Sequence, residues 1–92
     1  NKESIAQLKQ DLISVQKTIN NLYLTHSQLS SEYGYSVKEC EKRGGGFYSN
    51  ICERASSSKA KLDSLVDQIK SQEQRRQFIH NEILLLQEQK KQ

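Results

Sequence analysis

The sequence predicts an all-α fold: an antiparallel two-helix coiled-coil hairpin with a disulfide-clipped, Gly-rich turn. Three observations lead there. Apolar residues recur at alternating steps of three and four from Ile5 to Tyr33, a heptad seam that calls for a partner helix along its whole length. All four glycines fall between Gly34 and Gly46 and proline is absent. The only two cysteines, Cys40 and Cys52, bracket the stretch CEKRGGGFYSNIC.

Helix one is expected over about 4–43. Its seam runs through Ile5, Leu8, Leu12, Val15, Ile19, Leu22, His26, Leu29 and Tyr33, and the same step places Cys40 on the seam. Lys42 and Arg43 suit a helix C-terminus, and Gly44 is a natural left-handed cap. Gly34 costs about 1 kcal/mol inside a helix, so a break there, with a short helix over Ser36 to Arg43, is an alternative three-segment arrangement. The turn is expected over 44–49, where glycines reverse the chain with little strain.

Helix two is expected over about 50–90. Asn50 is placed to cap its first turn, with Glu53 three residues on as in a capping box. Ala55, Leu62, Leu65, Val66, Ile69, Ile79, Ile83 and Leu86 form its apolar stripe, interrupted by the polar run KSQEQRRQ from Lys70 to Gln77. With Cys40 opposite Cys52, Leu29 meets Leu62, His26 meets Val66, and Leu8 meets Ile83. Val15 and Ile19 are then left facing polar residues. Each arm is about 60 Å long at 1.5 Å per residue.

Bulk properties narrow the function. A chain of 92 residues, 34% of them hydrophobic, is one domain at most and needs reinforcement from a staple, a metal or association. The absence of any methionine, even at position 1, marks a processed or excised part of a longer chain, and a membrane anchor is expected outside this segment. The longest apolar run, Ile83 to Leu86, is far too short to cross a bilayer. The net charge of +3 is spread among both signs, as on solvated helix faces, so a nucleic-acid partner is not expected. The basic clusters at Lys42 and Arg43, Arg75 and Arg76, and Lys90 and Lys91 accompany no nucleic-acid-reading motif.

The cysteines fit a clip better than a reactive site. Zinc needs more ligands at short spacing, and His26 and His80 lie turns away, so no metal and no cofactor is expected. A redox pair is normally spaced C-x-x-C. A nucleophile needs a base and an enclosed site, which a two-helix rod does not offer, so the chain is not read as an enzyme. A Cys40–Cys52 disulfide joins the last turn of one helix to the first of the next, with intermolecular pairing as the alternative. Such a bond in a small domain implies an oxidising compartment: periplasm, cell surface, secretory lumen or virion exterior.

Three features remain for function. Phe47, Tyr48 and Ile51 at the tip are either a partner contact or a cover for the disulfide. Ala6, Ile13, Leu24 and Tyr35, spaced by 7, 11 and 11, fall within about 40° of one another at 100° per residue and opposite the seam. With Leu84 and Leu85 they form a candidate oligomer face, for which a dimer of hairpins is favoured and a trimer is the alternative. His26 on the seam is either a tolerated polar residue or a protonation-sensitive one.

The leading expectation is thus a non-enzymatic protein–protein interaction or assembly module, the extracytoplasmic hairpin of a membrane-anchored or secreted protein. An ectodomain core of a viral membrane-fusion subunit shares the layout of heptad helix, disulfide loop and returning helix, although no N-x-S/T sequon occurs. A cytosolic RNA-gripping hairpin arm with reduced thiols is the third alternative.

Overall fold

The computed structural model describes residues 4–43 and 50–91. Two helices, α1 (Ile5–Lys42) and α2 (Asn50–Lys91), lie side by side as an antiparallel hairpin with extents of 68 × 16 × 15 Å. The fold is therefore the all-α hairpin that the seam implies, with helix bounds within a residue of those expected.

The start of α1 is fixed by Ser4, whose backbone is extended and whose hydroxyl accepts a hydrogen bond of 3.0 Å from the Gln7 backbone N–H. One of the unpaired donors of the first turn is thereby satisfied. Ser4 and Gln7 have the S-x-x-Q spacing of a capping box, but the Gln7 side chain donates forward to Asp11 instead of back to the cap. At the other end the Arg43 N–H donates to the carbonyls of Glu39 and Cys40, each at 3.2 Å, and Lys42 lies in the last turn, pairing with Glu39. Gly44, the expected left-handed cap, lies outside the described residues.

No break occurs at Gly34: α1 is continuous through it, so the three-segment alternative is set aside. The local cost of one glycine is about 1 kcal/mol, and the seam residues on either side, Tyr33 and Ser36, are both drawn in against α2. Asn50 is already the first helical residue of α2 and not the residue before it, while Glu53 lies in the first turn as expected.

The core is one line of residues between the helices. In α1 the less exposed residues follow the heptad step without a miss from Ile5 to Cys40. In α2 the same holds from Ile51 through Ala55, Ser58, Leu62, Leu65, Ile69, Gln72, Arg76, Ile79 and Ile83 to Leu86. The polar run thus does not interrupt the seam; Gln72 and Arg76 occupy seam positions, both half-buried. Their aliphatic stems can cover apolar neighbours while their polar ends reach solvent.

This corrects the expectation for Val15 and Ile19. They are 5% and 1% exposed within the single hairpin, and they belong to one cluster with Leu8, Ile79 and Ile83, flanked by Ile5, Leu12 and Leu86. No further chain is needed to bury them. Val66, the expected partner of His26, lies one residue off the seam and is exposed; Leu65 takes the seam position.

The two ends of the seam differ in character. Large aliphatic residues fill the end near Ile5 and Leu86. Near the disulfide the buried residues are Ser36, Ala55 and Ser58. Small side chains there suit the close approach of the backbones, which are 4.9 Å apart between the Cα atoms of Cys40 and Cys52.

Candidate functional site

The Cys40–Cys52 bond is intramolecular, with a sequence separation of 12, and it takes up both cysteines of the chain. Cys40 reaches it because the heptad step carries it onto the seam of α1, and Cys52 because it lies in the first turn of α2, beside the seam. Ile51, one of the three tip residues, is half-buried on the seam step four residues before Ala55. Phe47 and Tyr48, the other two, lie outside the described residues.

Among the described residues no three His, Cys, Asp or Glu side chains converge as a metal site requires. Nor, among the described residues, is any helix long and apolar enough to cross a membrane. Among the described residues, open grooves run along the two flanks of the rod.

One flank carries two hollows in line. The first, of about 450 Å³, is lined by Leu12, Ile13, Gln16, Arg76, Gln77 and His80. The second, of about 300 Å³, is lined by Tyr23, His26, Val66, Ile69, Lys70 and Glu73. Two bonds clasp the helices along this flank: the Tyr23 hydroxyl donates to the Glu73 carboxylate at 2.8 Å, and the Arg76 guanidinium donates to the Gln16 side-chain carbonyl at 2.8 Å. The hydrogen bond to Glu73 raises the Tyr23 hydroxyl above its ordinary pKa of 10.0, with smaller contributions from desolvation and from the Glu73 charge, against the opposing pull of Arg76. Both bonds join side chains of one helix to side chains of the other, adding to the register that the Cys40–Cys52 disulfide sets.

The opposite flank is polar near the disulfide, where Glu32 of α1 and Arg54, Ser57 and Lys61 of α2 line a shallow hollow. Whole heptad steps from Ser57 lead to Phe78 and Leu85, which therefore lie on this side.

The six residues of the candidate oligomer face are all exposed, but they do not form one surface. Ala6 and Ile13 are seven residues apart, and with Leu84 they lie on the flank with the two hollows. Leu24 is on the back of α1, and Tyr35 and Leu85 are on the opposite flank. In a supercoiled pair, seven-residue steps stay in line, whereas each eleven-residue step drifts by about 50°. The spacing that aligned these residues on a straight helix therefore separates them here. Two exposed aromatics, Tyr23 at 50% and Phe78 at 64%, lie off the seam, Tyr23 between Leu22 and Leu24 and Phe78 at the end of the polar run. Heptad steps from Ile13 and Leu85 would have placed them.

Comparison with protein-family models, with characterised proteins and with solved structures gives no match.

Proposed function

We propose that this hairpin is a non-enzymatic interaction or assembly module that works in an oxidising, extracytoplasmic compartment. The observation that carries this is the intramolecular Cys40–Cys52 disulfide, which clips two helices into a rod whose own seam is filled while large apolar side chains remain outside. A thin rod with open flanks offers area for protein contact and little enclosure for chemistry. Ile13, Leu24, Tyr35, Leu84 and Leu85 stand 48–62% exposed and are open to contact. Protein partners would cover them.

The test uses protein from its native source. Both cysteines should resist alkylation until a reductant is added, and mild crosslinking should move the chain into larger adducts. Alkylation without reductant, or recovery of the chain only as an uncrosslinked monomer, would refute the proposal.

A further inference from the structure

We infer that the hollow beside Arg76 binds a small aliphatic carboxylate, whose charged end meets the guanidinium and whose chain lies along Leu12 and Ile13. This goes beyond the interaction-module reading and does not rest on it.

Charge separates this hollow from the other two. The one beside Tyr23 is lined by both Lys70 and Glu73, and the one near the disulfide by Arg54 and Lys61 together with Glu32 and Glu53. Each of those two holds charges of both signs. The hollow of about 450 Å³ has Arg76 in its lining and, among the described residues, no acid. Its volume falls within the roughly 300–1,000 Å³ typical of small-ligand sites. Leu12 and Ile13 give it an aliphatic side, and Ile13 is 58% exposed there. A cation beside aliphatic side chains selects a ligand with a negative head and an apolar body.

The guanidinium is positioned but not neutralised. Arg76 occupies a half-buried seam position, and its Nη1 donates to the side-chain carbonyl of Gln16 at 2.8 Å. That acceptor orients the group without cancelling its charge. Nε and Nη2 find no acceptor among the described residues, and they form an edge that a carboxylate grips with two parallel bonds.

The hairpin's own chemistry keeps that edge open. Glu73 is the only acid three or four residues from Arg76 along α2. Its carboxylate is held across the rod by the Tyr23 hydroxyl at 2.8 Å, so the clasp draws the one acid within a helical turn away from the guanidinium. A half-buried cation without a counter-charge is a cost to the fold that a bound anion offsets.

Chemical-shift titration of the whole chain, disulfide intact, with octanoate tests this. The Arg76 Nε–H and the Leu12 and Ile13 methyls should shift together and saturate, with a Kd of about 1 mM for a ligand of this size. Acetate should bind about 10-fold more weakly or worse, since it has no chain to lay on Leu12 and Ile13. Octylammonium, with the same chain and the opposite charge, should not shift the Arg76 signal. Arg76→Gln should abolish saturation while circular dichroism shows the helices intact. Tyr23→Phe should weaken octanoate binding, because Glu73 is released to pair with Arg76, and adding Glu73→Gln to that variant should restore it. No saturation up to about 10 mM octanoate, ten times the expected Kd, would overturn the assignment. So would equal binding of octylammonium, affinity retained in Arg76→Gln, or a Tyr23→Phe loss that Glu73→Gln does not rescue.

Discussion

Replacing both cysteines with serine removes the covalent tie at one end of the rod and leaves the seam untouched. The loop it opens has a sequence separation of 12. In the chain-entropy model a loop of that size restricts the unfolded chain enough to stabilise the fold by about 3 kcal/mol. For a domain of 92 residues each kcal/mol corresponds to about 4–8 °C, so melting should fall by roughly 12–24 °C. The loss should be uneven. Among the described residues, those buried around the disulfide are Ser36, Ala55 and Ser58, which supply little apolar area, whereas Leu8, Val15, Ile19, Ile79 and Ile83 form a cluster of their own. Circular dichroism melts, read together with amide hydrogen exchange, measure both effects. Protection should collapse for residues 30–40 and 51–60 and persist near Leu8 to Ile19. A drop below about 1 kcal/mol, or equal loss of protection at both ends, would show that the small-residue end holds without its clip and would refute this account.

Ile19→Ala should destabilise by about 2–4 kcal/mol in denaturant melts, because this side chain is 1% exposed and leaves a cavity. Gln72→Leu should raise stability by about 1 kcal/mol, since Gln72 holds a half-buried seam position among apolar neighbours; a loss would refute the register assigned to α2. Tyr23→Phe removes the bond to Glu73. Since the folded-state pKa of Tyr23 is raised above 10.0, its contribution is fully present below pH 10 and disappears as pH climbs through the raised value. The stability difference between wild type and Tyr23→Phe should therefore close at alkaline pH, and ultraviolet titration of the variant should lack the late-ionising phenol.

Much of the architecture was legible because it follows from one periodicity. The alternation of three and four from Ile5 to Cys40 implies a helix with a partner, and the glycines with the two cysteines say where the chain returns. The polar run in α2 misleads because hydropathy scores Gln72 and Arg76 by their heads, whereas the seam uses their stems. Counting heptads instead of apolar residues carries α2 through this run and removes the apparent exposure of Val15 and Ile19. The candidate oligomer face was less legible for a geometric reason: residues 11 apart align on a straight helix and part company on a supercoiled one. Ser4 shows another limit. Its S-x-x-Q spacing is that of a capping box, but only the Ser4 half of the box forms, because the Gln7 side chain bonds Asp11.

The seam's division into an aliphatic end and a small-residue end also bears on how the rod carries load. The ends of the helices near Ile5 and Leu86 lie together, far from Cys40 and Cys52. Tension that draws those ends apart peels the helices like a zipper, one layer at a time, beginning at the apolar cluster. Resistance is greatest at the outset and slackens as the small layers of Ser36, Ala55 and Ser58 are reached. There the covalent tie stops the tear, keeping the two strands paired at a fixed point from which they can close again in the original register.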